Sequence, residues 1–264
     1  YHLPLNTFAA ASALLSQQIL PATGKQPSLL TVSAFGRYAI TSQSDQGVGL
    51  QLIDRMTGPG EVTATHERLD LFLERGEYKI VTHAHEQGRG EVNLSVHPFA
   101  EQHRDATPRL VEHKLIESQL SDFQQRSYWL EITERRYVAL EAAGRNLADL
   151  RLWKDGEWLI DNRPLPRRSE PHQGKPLTVL QFSGQLEPGL YLVTLYGGVE
   201  QIWTEQSDER PLYLRYGIPT LDVAARRSYS LSPFGIDRWL IPAQANYYRL
   251  ELPNVAPATI ALGG

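Results

Sequence analysis

The chain has 264 residues, of which 41% are hydrophobic and 21% charged, a composition typical of folded globular proteins rather than of disordered or fibrous chains. Its formal net charge is −4 and its acidic and basic residues are interspersed, so the sequence lacks the basic excess expected of a nucleic-acid-binding or anionic-membrane-binding surface. It has no cysteine, which excludes disulfides, thiolate metal ligands and cysteine nucleophiles, and no apolar run approaches the roughly 20 residues of a transmembrane segment.

The first predicted element is a short helix within residues 1–28. It begins near Asn6 and Thr7, whose side chains can cap a helix N-terminus, and it ends before Pro21. The apolar stretch at 8–15 has no basic residue before it, so we interpret it as part of this helix rather than as an intact signal peptide.

Alternating apolar and polar residues predict a first β-sandwich at residues 29–100. Leu50 and Leu52, for example, share one face because successive side chains of a strand point to opposite faces. Turn residues follow one another at the short spacing that is typical of sandwiches. The segment at 97–107 carries charges, a proline and few large apolar groups, and we predict a linker or crossover at 101–126. Within it, residues 111–116 could form a strand of either unit.

A second β-sandwich is predicted at residues 127–218. Within it, Asp155 and Gly156 form a hairpin-type turn, and the proline- and arginine-rich segment 161–176 is expected to be an exposed loop. Residues 219–264 repeat the early strands but not the last one, so we expect a partial third repeat or C-terminal strands, and a fragment of a longer protein.

The two units repeat one phrase. Residues 73–80 read Leu-Glu-Arg-Gly-Glu-Tyr-Lys-Ile and residues 186–193 read Leu-Glu-Pro-Gly-Leu-Tyr-Leu-Val, and each follows an Arg-Tyr strand, at 37–40 and at 136–140. Self-similarity at a fixed spacing indicates a repeated folding unit. The sequence therefore predicts an all-β fold of tandem antiparallel, jelly-roll-like β-sandwich domains preceded by a short N-terminal helix.

The second copy resembles the bacterial pre-peptidase C-terminal domains. The resemblance rests on Ala-Asp-Leu-Arg-Leu-Trp at 148–153 and on the phrase at 186–193, and it covers about residues 128–197 well and 32–97 more loosely. Those domains are jelly-roll-like sandwiches appended to secreted enzymes and surface proteins. The resemblance implies an extracytoplasmic bacterial module, periplasmic, secreted or on the cell surface, that binds a polymer or a partner or acts as a spacer.

Aromatic residues are the first candidate for a binding surface. Trp153 and Trp158 flank the predicted hairpin turn, and exposed rings on a sheet are what sugar-binding sandwiches use as stacking platforms. Packing of the two rings against each other across the hairpin is the structural alternative, and we prefer it. The remaining tryptophans lie in apolar strands and are expected in the core: Trp129, Trp203 and Trp239.

The arginines of the second unit are the second candidate. Arg167 and Arg168 lie in the predicted loop at 161–176, which has no counterpart in the first unit. Because this loop and the tryptophan hairpin are where the two copies differ, they are the expected recognition surface.

A metal site is the third candidate. His83 and His85 alternate on a predicted strand and would present two imidazoles on one face, and Asp155 is one of several acidic residues near turns that could supply oxygens to calcium. No spacing fixes a third ligand, so we prefer solvated histidines and ordinary turn chemistry, with no cofactor, and keep calcium as the alternative.

Catalytic motifs are absent from the sequence: it contains no Gly-x-Ser-x-Gly elbow, no His-Glu-x-x-His and no glycine-rich phosphate loop. The first hypothesis for function is therefore a noncatalytic structural or interaction module that binds a protein partner or acts as a scaffold. Two alternatives stay open. One is a carbohydrate-binding module that uses exposed aromatic residues, and the other is a hydrolase whose dispersed site gathers histidines and carboxylates between the units.

Overall fold

A computed structural model describes sixteen β-strands in residues 18–21, 25–52, 64–84, 91–103, 105–155, 157–158, 165–172, 175–199 and 210–217. Residues 1–17 and 218–264 lie outside this part of the chain, so the N-terminal helix and the third repeat stay predictions. The described residues contain no helix, and accordingly none long and apolar enough to cross a membrane.

The first unit is one six-stranded antiparallel sheet with strand order β1-β6-β3-β5-β2, and β4 also pairs with β3. The bounds are β1 (Gln18–Pro21), β2 (Lys25–Val32), β3 (Gly36–Leu52), β4 (Ala64–Leu73), β5 (Gly76–Ala84) and β6 (Glu91–Pro98). Residues 18–21 and 25–28 are thus strand, although they fall in the segment expected to precede the first sandwich.

The two halves of the long strand β3 pair with different strands of this sheet. Its first half pairs with β4 and β6 through Gln43, and its second half pairs with β5 from Val48 onward. The register shifts between these two residues, and Gly47 has a φ of 84°, a backbone conformation that glycine adopts without steric cost. One core cluster joins the two halves, with Ile40 and Leu50 both buried in it.

The second unit is a sandwich of two five-stranded sheets, which we name the front sheet (β12-β11-β15-β9-β7) and the back sheet (β13-β14-β10-β16-β8). The bounds are β7 (Ala100–Glu101), β8 (Leu115–Gln119), β9 (Gln124–Ile132), β10 (Arg136–Gly144), β11 (Leu147–Lys154), β12 (Glu157–Trp158), β13 (Arg167–His172), β14 (Lys175–Leu186), β15 (Gly189–Gly197) and β16 (Pro211–Tyr216). Inward-facing residues of both sheets, such as Leu150 and Leu140, form one core, as sandwich packing requires.

Both segments predicted to connect other elements contribute strands. Residues 115–119 of the predicted linker or crossover form β8 at the edge of the back sheet. The prediction of an exposed loop is wrong for residues 167–172, which form β13. This strand pairs with β14 over its whole length, and the ladder supplies the hydrogen bonds that the local composition of proline and arginine does not indicate.

The repeated phrase closes turns. In three Gly-x-Tyr sequences the tyrosine hydroxyl donates a hydrogen bond to the backbone carbonyl oxygen four residues earlier: Tyr38 to Ala34 (2.8 Å), Tyr78 to Glu74 (3.0 Å) and Tyr191 to Glu187 (2.6 Å). The ring lies against the intervening glycine, and a Cβ at Gly189 would lie 3.8 Å from Cε2 of Tyr191. The phrase thus encodes a contact that fixes how the chain enters a core strand.

Tyr191→Phe should lower the free energy of unfolding by about 1 kcal/mol, because it removes this hydrogen bond and leaves the buried ring in place. Urea unfolding of the two proteins measures the difference. Tyr137→Phe is the matched control, since this side chain is 58% exposed, and it should leave the midpoint unchanged. Equal midpoints for Tyr191→Phe and wild type would contradict the role of the hydroxyl.

Candidate functional site

Arg37 of β3 joins the first unit to the outer face of the front sheet. It is 8% exposed, and its Nη1 donates to Oδ2 of Asp149 on β11 at 2.9 Å, while its Nη2 donates to Oδ2 of Asp70 on β4 at 3.4 Å. Its guanidinium carbon also lies over three rings, at these centroid distances: Tyr196 (4.9 Å), Phe99 (5.1 Å) and Phe72 (5.6 Å). We call this contact region the seam.

Arg68 of β4 is the second link across the seam. Its Nη1 and Nη2 donate to the carboxylate of Asp122, between β8 and β9, at 2.7 and 2.9 Å, and its Nε donates to Asp70 at 2.6 Å. Burial lowers the pKa of Arg68, but the hydrogen bonds to Asp122 and Asp70 outweigh it, so the pKa lies above its ordinary value. The guanidinium also lies 4.8 Å from the ring centroid of Phe123.

Tyr196 of β15 is the aromatic centre of the seam. It is 4% exposed, and burial raises its pKa above the ordinary value, while the nearby charge of Arg37 acts in the opposite direction with a smaller effect. Phe72 contacts it edge-on at 5.4 Å and Phe99 at 5.9 Å between ring centroids. The seam therefore combines an apolar aromatic cluster with paired charges.

A row of apolar residues crosses the outer face of the front sheet. The strand register places Trp153 opposite Leu192 and Leu192 opposite Trp129. Side chains at directly opposed positions share a face, and the residues that alternate with them, such as Leu152 and Val193, are buried in the core. Trp153, Leu192 and Trp129 are partly exposed. We call these three residues the tryptophan row.

The seam lies beside the tryptophan row. The Trp153 ring contacts Phe72 edge-on at 5.4 Å and Phe35 at 5.7 Å between centroids. Phe35 is in the turn between β2 and β3 of the first unit and is 56% exposed. Aromatic residues of both units thus meet at one end of the row and extend its apolar surface.

The predicted recognition residues fall on two different sheets. Trp153 and Trp158 occupy directly opposed positions of β11 and β12 on the front sheet, and Trp153 is partly exposed. Arg167 and Arg168 lie on β13 of the back sheet. Arg167 donates to the backbone oxygen of Ala148, and Arg168 donates to Oε2 of Glu141 at 2.9 Å.

The candidate metal ligands are also on separate elements. His83 lies on β5 of the first unit with its Nε2 3.2 Å from Oε1 of Gln51, whereas Asp155 is exposed after β11 of the second unit with a φ of 53°. His85 is outside the described residues, so its pairing with His83 stays a prediction. In the part of the chain that the structure describes, no three histidine, aspartate or glutamate side chains are grouped to hold a metal ion.

Sequence reasoning missed Trp129, which was expected in the core. Tyr128 and Leu130 on either side of it are buried, and Trp129 shares the opposite face with the exposed Glu131. Period-two alternation was therefore a sufficient signal for its position. Trp203 and Trp239 lie outside the described residues.

No protein-family model matches the chain, and no curated protein matches it. Solved structures that match include the tandem CBM51 modules of a family 98 glycoside hydrolase from Streptococcus pneumoniae, with 8% identity over 75% of this chain and 83% of that chain and a TM-score of 0.23. An anti-sigma factor domain-containing protein matches with 14% identity over 70% of this chain and 81% of that chain, also with a TM-score of 0.23. Neither likeness assigns the chain to a family.

The raised pKa of Tyr196 should lower the free energy of unfolding at alkaline pH. Because its folded pKa is raised, the folded protein keeps the phenolic proton above about pH 10, where the unfolded chain loses it, so the free energy of unfolding falls as the pH rises. Tyr196→Phe has no phenolic proton to lose at this position. Its free energy of unfolding should therefore fall less than that of wild type between about pH 8 and pH 11. Urea midpoints at both pH values measure the two losses, and equal losses would contradict the effect.

Proposed function

We propose that the chain is a noncatalytic carbohydrate-binding module that holds a polysaccharide along the tryptophan row. The observation that carries the proposal is the register that places Trp153, Leu192 and Trp129 side by side on a partly exposed sheet face. The apolar face of a sugar ring can stack on an indole ring while its hydroxyl groups remain hydrated. Aromatic rings combine such a large apolar surface with fixed geometry.

The spacing of the row suits an extended chain. Trp153 and Trp129 lie two strands apart, which is about 10 Å and about the length of two linked sugar rings. Leu192 fills the position between them. Arg109 and Glu131 form an exposed ion pair beside Trp129, and these charged groups can hydrogen-bond to sugar hydroxyls at that end of the row.

The chemistry of the seam favours binding over hydrolysis. A dispersed hydrolase would need a carboxylate or histidine that is available for proton transfer between the units. Asp70, Asp122 and Asp149 instead accept hydrogen bonds from arginine side chains. Each of these described carboxylates is therefore engaged as an ion-pair partner.

A polysaccharide ligand also agrees with the extracytoplasmic bacterial location that the pre-peptidase C-terminal resemblance implies, and we include that location in the proposal. Protein scaffolding, the first hypothesis from the sequence, uses the same noncatalytic fold. The described surface favours the glycan because the row places two indole rings at a fixed spacing on a regular sheet face.

Trp153→Ala and Trp129→Ala should each weaken retention of the protein on the polysaccharide that it binds by about tenfold, because each removes one stacking surface. A pull-down against insoluble plant, fungal and bacterial polysaccharides selects the ligand. Calorimetric titration with its soluble oligosaccharides then gives the affinities of the variants.

Tyr137→Ala is the matched control, because this exposed aromatic residue lies on the back sheet. It should bind like wild type. Urea unfolding of each variant separates lost binding from lost folding, which matters for Trp153 since its ring also contacts Phe72. Retention on none of the polysaccharides, or equal affinities for the folded tryptophan variants and the control, would overturn the proposal.

A further inference from the structure

The open edge of the second sandwich contains a cavity of about 180 Å³ whose described lining residues include three arginines. The polar lining consists of Arg145, Arg167, Arg168, Ser169 and Thr178, and none of the described lining residues is acidic. A concave site with several cationic and hydroxyl donors is suited to an anion.

The backbone fixes how these donors converge. Ser169 of β13 is directly opposite Thr178 of β14, so their hydroxyl groups are on one face of the ladder. Arg167 shares that face by strand alternation, and it reaches the carbonyl oxygen of Ala148 on the front sheet. Arg145 follows β10 in the turn toward β11 and is buried. The cavity therefore lies between the edges of the two sheets.

Local charge also favours an anion. Arg168 is on the opposite face of β13 and donates to Glu141, which in turn accepts hydrogen bonds from Arg215 at 3.2 Å and from Gln181. One described carboxylate is thus shared between two arginines. Arg145 and Arg167 add two further cationic donors to the lining of the cavity, and a bound anion would be attracted to them.

We propose that this cavity binds a compact oxyanion, in the form of phosphate, sulfate or the carboxylate of an acidic sugar. Arg145 and Arg167 supply the positive charge, and Ser169 and Thr178 supply neutral hydroxyl donors. The site lies on different elements from the tryptophan row, so its binding does not depend on glycan binding there.

The test is calorimetric titration of the chain at low ionic strength with inorganic phosphate, inorganic sulfate and glucuronate as separate probes. Arg167→Gln should weaken the probes that bind by about tenfold or more, because it removes a charge-assisted hydrogen bond. Arg135→Gln is the matched control, since this exposed arginine pairs with Glu187 away from the cavity, and it should bind like wild type.

Thr178→Val removes a neutral hydroxyl donor from the same cavity and should also weaken binding. This second variant keeps the proposal falsifiable if Arg167→Gln does not fold. Binding of phosphate or sulfate identifies a tetrahedral oxyanion as the ligand, and binding of glucuronate alone identifies a sugar carboxylate. No heat with any probe at millimolar concentration would overturn the proposal. So would an affinity that neither substitution in the cavity changes.

Discussion

The guanidinium of Arg37 is buried between the two units, where it has lost most of its hydration. Two carboxylates and three aromatic rings offset that loss, and they come from both units: Asp70, Phe72 and Phe99 on one side, Asp149 and Tyr196 on the other. A buried charge with its partners in place adds little net stability, but removing one member costs about 3–5 kcal/mol. The position of the first unit on the front sheet is therefore specified mainly by Arg37, with Arg68 and Asp122 as a second link.

The seam connects the fold to the proposed binding surface. Because the first unit is held on the outer face of the front sheet, Phe35 and Phe72 lie against Trp153 at one end of the tryptophan row. A lone second sandwich would present the tryptophan row without Phe35 and Phe72. The arginine-lined cavity is different, since its described lining residues all belong to the second unit and its donors are fixed by the β13–β14 ladder.

Local pattern was enough to predict most of the strands, because alternation and turn residues act over a few neighbouring positions. The repeated phrase was equally local, since each tyrosine hydroxyl reaches a carbonyl only four residues away. The site required long-range information. Arg37 meets Asp149 112 residues later, and the tryptophan row exists only because β11, β15 and β9 pair in one particular register. Strand β13 was missed for the same reason, as its partner rather than its composition makes it a strand.

The coupling of the two units through Arg37 is the central claim, and differential scanning calorimetry of Arg37→Gln tests it most directly. Wild type should unfold in one cooperative transition, and the variant should show two, because the first unit no longer shares the carboxylate of Asp149. Arg75→Gln, at an exposed position, should unfold like wild type. A single transition for Arg37→Gln at the wild-type temperature would contradict the account.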